Sequence, residues 1–464
     1  MTNTLAASNE RWLALCDAAA RRAGAESPPA ARLRSAGREA FAAQGLPATR
    51  LEEWRYTNVS ELAAIDWRLP DDGTREIDRG SLEALASPVF ACGLLVFANG
   101  RLVPSLSTLR APDVEVVSLA AARRRGDPLL ARVGSLVDAK LHPFAALANA
   151  LLDDGVLIRL PAGTRLEQPL HLVFLSLPGS ADIDFARLRL AARDGARSAR
   201  TARPTLAVAA VPRVLVEAGR GSRGVVVQDH VSLGSGPAFT DAVTELHLGA
   251  GAQLDHVLLQ RESDDGFHVS NGAARLERDA RLVSHAITLG GRFVRNDLCV
   301  TLAGEGAEAV LNGLFLGSGE RLVDNHTFVD HAVPHGTSRE LYKGVLADRS
   351  RGVFRGRVLV RPGAQKTDAH QSNPNLLLSG AAEIDSKPQL EIHADDVKCS
   401  HGSAIGKSDE NALFYLRTRG IDEAEARALL VRGFASEVLA ALPEPALGAA
   451  LGDAFAALVS GGVA

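Results

Sequence analysis

The chain has 464 residues, a formal net charge of -4, and a composition of 46% hydrophobic and 23% charged residues. That length supports a sizeable core in two or three structural parts, and a slightly acidic balance without a long basic tract excludes nucleic acid or an anionic membrane surface as the main partner. The four cysteines, Cys16, Cys92, Cys299 and Cys399, are widely spaced with no C-x-x-C pair, which frames neither a disulfide scaffold nor a zinc module and suits a reducing compartment.

The segment Met1 to Ser8 has no basic stretch leading into an apolar one, and no apolar run reaches the roughly 18 residues of a membrane span, so a cytoplasmic protein is expected. From Ser8 to Gln44 the spacing predicts two helices. Trp12, Leu15, Cys16 and Ala19 share a face, Pro28-Pro29 breaks the pattern, and Leu33, Ala36, Ala40 and Phe41 resume it before Gly45. An Asn99-Gly100 pair between the apolar runs Leu94 to Ala98 and Arg101 to Val103 predicts a hairpin. Residues 120–152 are helix-compatible again. The arginines between Arg193 and Arg203 are the nearest approach to a basic tract; without interleaved aromatics they read as a solvated loop.

The middle of the chain repeats. A turn-forming residue followed by a small one recurs at positions 163, 195, 221, 251, 279, 306, 336 and 363, at intervals of 32, 26, 30, 28, 27, 30 and 27 residues. Between these markers lie short β-rich runs such as Val225-Val226-Val227, His256 to Leu259 and Val358-Leu359-Val360. A period in this range with strands in each unit predicts a β-solenoid whose coils stack and whose glycines turn corners. The expected fold is mainly β, a parallel β-helix core flanked by helical regions, with an N-terminal mostly helical part at 1–150, the β-helix at 151–402 and a helical tail at 403–464. End coils of such a core expose strand edges that need a cap or a partner.

Just past the last marker comes Asp395-Asp396-Val397-Lys398-Cys399-Ser400-His401-Gly402. In a strand, Cys399 and His401 point to one side about 7 Å apart at the backbone, and thiolate and imidazole are ligands that iron and zinc favour. Two ligands do not close a tetrahedral site; either a partner completes it, or the pair is a packed cysteine and a hydrogen-bonded histidine. His393 and Asp395 share their parity if the strand is unbroken. Beyond them Ser408, with Asp409 and Glu410, predicts a helix start carrying Leu413, Tyr415 and Leu416 and stopping at Gly420. Asp422 to Glu425 predicts a second helix carrying Leu429, Leu430, Phe434 and Val438. A third is expected from Ala446 to Val459.

Two nucleotide-like patterns fail on inspection. Gly402 to Ser408 has three residues between its glycines where a phosphate loop needs four, and Gly219 to Gly224 fits the dinucleotide fingerprint but leads into Val225-Val226-Val227 instead of a helix. Among the 13 histidines, His326 is odd-spaced from both His331 and His335, so the three cannot all face one way from one strand.

The block Asp368-Ala369-His370-Gln371-Ser372-Asn373-Pro374-Asn375, with Lys387 to Ile392, Val397 to Gly402 and Phe414 to Gly420, resembles the SufB/SufD family of iron-sulfur cluster assembly proteins. Within it the Cys-Ser-His run favours the SufD branch. Glu53-Trp54-Arg55-Tyr56-Thr57-Asn58 is similar to the family's segment before the β core. The resemblance implies a right-handed parallel β-helix, a SufB-like paralogue paired through it, and a SufC-like ATPase docked on the C-terminal helices. It further implies that His401, with Cys399 nearby, helps form a nascent cluster site at the paralogue interface. The chain is then a non-enzymatic scaffold holding a transient iron-sulfur cluster and no tightly bound cofactor. Three alternatives stay open: a homodimer without partners, the SufB-like paralogue itself, and a polysaccharide-active β-helix enzyme using carboxylates such as Asp229 or Asp255.

Overall fold

The structure, a computed structural model, describes residues 2–24, 26–70, 77, 80, 82, 91–177, 207–234, 236–407 and 409–462. The arginines between Arg193 and Arg203, the marker at 195 and Ser408 lie outside these residues. The helices of the first part run Thr2–Ala23 and Pro28–Gln44, the second opened by proline and closed at Gly45, which takes φ 62°. The Asn-Gly hairpin forms as expected: Gly93–Ala98 pairs antiparallel with Arg101–Leu102, and Asn99 and Gly100 both take positive φ. Short helices at Leu119–Arg125 and Pro143–Ala150 follow.

From Gly155 onward the chain winds between two parallel sheets. One, face A, is built from Gly155–Leu160, Arg213–Ala218, Ala238–Leu248, Gly266–Leu276, Phe293–Leu302, Leu322–His331, Arg351–Val360 and Glu383–Ile392. The other, face B, is built from Leu170–Ser176, Arg223–Ser232, Gln253–Arg261, Arg281–Thr288, Glu308–Gly317, Thr337–Leu346, Asp368–Leu377 and Lys398–Lys407. Each coil supplies one strand to each sheet, which is why the markers recur once per coil. At one corner of successive coils a residue takes positive φ: Gly221, Gly251, Asp279, Gly306, His335 and Lys366. Two of these differ from the expected markers, His335 replacing Gly336 and Lys366 replacing Gly363. The corners form a ladder of their own, with the amides of Gly221, Gly251, Asp279, His335 and Lys366 donating to carbonyls one coil on, those of Ala250, Arg278, Glu305, Gln365 and Asp396, at 2.7–3.0 Å.

Both sides of each sheet are buried through most of the solenoid, as parallel sheets require. The inward row forms one apolar cluster that includes Val226, Leu254, Leu282, Leu311, Tyr342, Phe354 and Ala369. Outside face A, Phe239, Phe267 and Phe293 pack under Trp12, Trp54, Trp67 and Phe144 of the N-terminal part. Outside face B, Val257, Leu259, Leu314 and Val345 pack under the helices Glu423–Ala440 and Pro445–Gly462. The Glu423–Ala440 helix buries Val431, Ala435 and Val438; of the residues the sequence placed along it, Val438 is buried and Leu429 is 43% exposed. The first tail helix, Glu410–Thr418, is capped by the Asp409 carboxylate, which accepts from the Asn411 and Ala412 amides. Asp422 caps the second in the same way. Among the described residues no helix is long and apolar enough to cross a membrane.

The two ends of the solenoid differ. At the start, Glu115–Ser118 pairs antiparallel with Gly155–Leu160, and the hairpin strand Gly93–Ala98 covers Leu170–Ser176. At the finish, Glu383–Ile392 and Lys398–Lys407 are the last strands of their sheets.

Candidate functional site

The last coil is where the sequence-predicted ligands meet solvent. Lys398–Lys407 pairs in register with Asp368–Leu377 through every residue, setting Cys399 on Ala369, His401 on Gln371 and Ser403 on Asn373. Cys399 packs against the inward apolar cluster, and the Ser403 hydroxyl donates to Ser386 Oγ of the opposite strand at 2.8 Å. His401, between them in the alternation, belongs to the same inward row. No further coil covers that row, so His401 is exposed while Cys399 is half-buried. Burial pushes the Cys399 thiol up, a hydrogen bond from the Ala369 backbone opposing the shift.

His393 and Asp395 do not join them. The strand of face A ends at Ile392, and a bend at Asp395-Asp396 separates it from Lys398; there the Asp396 carbonyl accepts from the Lys366 amide and its carboxylate pairs with the Lys366 ammonium. On the outward row His370 lies between Asp368, at 2.8 Å, and the Ser400 hydroxyl. Among the described residues no group of three or more His, Cys, Asp or Glu side chains is placed to hold a metal ion. Cys399 and His401 lie two residues apart on the last strand of face B, one half-buried and the other exposed.

The other candidates resolve into structure. Gly402 to Lys407 is strand, and Gly221 is a corner leading into Arg223–Ser232. His326 bonds Asp324 at 2.9 Å, His331 is buried against the Ser338 hydroxyl, and His335 turns a corner. Asp229 is fully buried and clasped by Arg261 through two hydrogen bonds, with His171 at 3.5 Å, so its carboxyl is held below the usual range despite burial. It is not available as a catalytic group. Asp255, half-buried, has its carboxyl pushed up by burial.

The N-terminal block Glu53 to Asn58 crosses the outside of face A toward the open end. Trp54 lies over the Arg295 guanidinium at 3.8 Å, Glu53 pairs with Arg355 at 2.5 Å, and Glu52 reaches Lys387 on the last strand. Sequence parity missed two side chains beneath His401, Gln371 and Glu340, which follow when the coil period is counted backward from position 401. Burial pushes the Glu340 carboxyl up to about 7.

Residues 200–434 match the family model described as SUF system FeS cluster assembly, SufBD core domain, and residues 7–172 match the SufBD protein N-terminal region. An iron-sulfur cluster assembly SufBD family protein of Synechocystis is 32% identical over 411 residues, covering 86% of this chain and 84% of the relative. The iron-sulfur cluster assembly protein SufD of Escherichia coli is 31% identical over 405 residues, 87% of each chain. A SufBD family protein of Mycobacterium leprae is 40% identical over 229 residues, 48% of this chain and 57% of that one. With its solenoid, its flanking helices and these matches, the chain belongs to the SufB/SufD family of iron-sulfur cluster assembly proteins, as a homologue of SufD.

Proposed function

We propose that the chain is a cytoplasmic, non-enzymatic scaffold subunit that helps build and pass on a nascent iron-sulfur cluster at an interface with a SufB-like paralogue. The observation that carries this is the bare last coil, which presents His401 and Cys399 at the open mouth of the solenoid beside unpaired strand edges. A partner chain adding strands to those edges brings its own donors over the same mouth and completes the coordination that two ligands leave unfinished. Ile392 and Ile405, 42% and 55% exposed, give that junction an apolar component. Iron and sulfide are cargo here. His401 is the main ligand from this chain, because it is exposed and its imidazole binds iron without first losing a thiol proton; Cys399 is the second.

The three parts, 1–150, 151–402 and 403–464, serve as closed cap, scaffold and docking tail. On the tail, Phe414 and Tyr415 are largely exposed on the Glu410–Thr418 helix, with Arg419 over the Tyr415 ring, an aromatic surface suited to a SufC-like ATPase. Nucleotide hydrolysis belongs to that partner.

The test is co-purification with a SufB-like paralogue and a SufC-like ATPase, followed by anaerobic reconstitution with iron(II) and sulfide. His401→Ala leaves the complex intact and lowers cluster yield about tenfold or more, while Cys399→Ser has the smaller effect. An unchanged yield in His401→Ala rejects the ligand assignment.

A further inference from the structure

Below the mouth of the solenoid lie two buried polar side chains with unused hydrogen-bonding capacity. His401 sits in register on Gln371, and Gln371 on Glu340, one strand spacing of about 4.8 Å apart at each step. Gln371 and Glu340 are each 3% exposed. The Gln371 amide nitrogen donates to Glu340 Oε2 at 3.1 Å, and the Thr327 hydroxyl donates to the same oxygen at 2.6 Å. With the amide nitrogen and the Thr327 hydroxyl both on Oε2, Gln371 Oε1 faces elsewhere. That oxygen is buried and has no partner.

An unpaired buried carbonyl is destabilising, and the fold nevertheless leaves space for the amide that carries it. A methyl group added at Gly356, on the opposite strand, would overlap the Gln371 amide nitrogen, and Gly356 has an ordinary backbone conformation, so space is what the glycine supplies. In the next coil, the residue in register over Gln371 is His401.

We infer that Gln371, held by Glu340 and Thr327, is a positioning residue for His401: its free Oε1 accepts the N–H of one ring nitrogen and leaves the other nitrogen as the iron donor. A ligating histidine is oriented, and its tautomer chosen, by whatever its second nitrogen bonds. Gln371 itself touches no iron. The role presupposes that His401 is a ligand, as proposed above.

The experiment uses the complex with the paralogue and the ATPase, loaded anaerobically with iron(II) and sulfide. Gln371→Met keeps the side-chain length and removes the acceptor. Gly356→Ala displaces the same amide from the opposite strand and serves where Gln371→Met fails to assemble. Expected are a loss of about tenfold in cluster retention, a changed histidine nitrogen hyperfine coupling in the reduced cluster, and unaltered complex formation. Adding Gln371→Met to His401→Ala has no further effect. The inference is overturned when His401→Ala lowers cluster yield but Gln371→Met keeps wild-type retention and coupling, or when the two losses simply multiply. If His401→Ala alone changes nothing, the ligand assignment fails first, and the positioning role with it.

Discussion

Cys16 and Cys299 lie against the cluster formed by the N-terminal part, where loss of solvent pushes both thiols up to about 12. Cys92 and Cys399 are half-buried, with thiols raised less by the same cause. Since the thiolate is the reacting form, alkylation at pH 8 followed by mass spectrometry should label Cys92 and Cys399 well ahead of Cys16 and Cys299. Assembly with a paralogue over the open mouth should then protect Cys399 and leave Cys92 labelled. Equal labelling of Cys399 in free and assembled protein would place the interface elsewhere. His401 and Cys399 occupy one row but different depths, which favours the exposed imidazole as the ligand with the lower cost of reaching a metal.

At the scale of the coil, the solenoid was legible because its corners need unusual backbone. Gly221, Gly251 and Gly306 take positive φ, and glycine meets that demand with no steric cost. Asp279, His335 and Lys366 do the same work without glycine, and at the last two the marker position drifts. The expected pair Cys399 and His401 came from parity within one strand. Gln371 and Glu340 required the register between strands, which one strand's alternation does not contain. The same limit hid the polar interior: Glu262 accepts from Ser176, Thr240, Gln260 and His268, residues from four strands that meet only after winding. On the Glu423–Ala440 helix, Val438 is buried as expected and Phe434 packs partly against the same cluster, while Leu429 is exposed and Val431 and Ala435, which form as apolar a line, are buried.

Burial also leaves a pH signature in the coils. Loss of solvent lowers the imidazole of His230 to about 3 and those of His256, His285 and His331 to about 4. An unfolded chain protonates them near 6.5. As pH falls through 6.5 the unfolded state binds protons first, so each histidine's contribution is complete above that pH and is lost toward pH 4. His285, whose two ring nitrogens have no hydrogen-bond partner and whose shift comes from burial alone, gives the cleanest test. His285→Leu should reduce the stability difference between pH 7.5 and pH 5 by about 2 kcal/mol, measured by urea denaturation. An unchanged difference would mean that His285 is solvated in the folded state.

Over the whole molecule, the asymmetry of the two ends governs behaviour. The start of the solenoid is closed by one antiparallel and one parallel strand from the N-terminal part, whereas Lys398–Lys407 is bonded to one neighbour along its length and exposed at nine of ten positions. Its amides should exchange with deuterium fastest among the face B strands of the free chain and become protected in the complex. Ile405→Glu should weaken pairing with the paralogue by at least tenfold, judged by co-purification, while leaving the melting temperature of the isolated chain nearly unchanged. Equal protection of this strand with and without partners would contradict an interface at the open end.

The tail begins at Glu410, three positions beyond the end of that edge strand, and its second helix then lies back along face B, where Lys343 bonds the Phe434 carbonyl and pairs with Glu437. A load applied to the Glu410–Thr418 helix would meet the edge strand at its C-terminal end and peel it from its single neighbour one hydrogen bond at a time. Unzipping of this kind needs far less force than sliding a strand lengthwise, where all its bonds resist together. A load on the two later helices would instead be borne first by the Lys343 anchor and the apolar packing on face B.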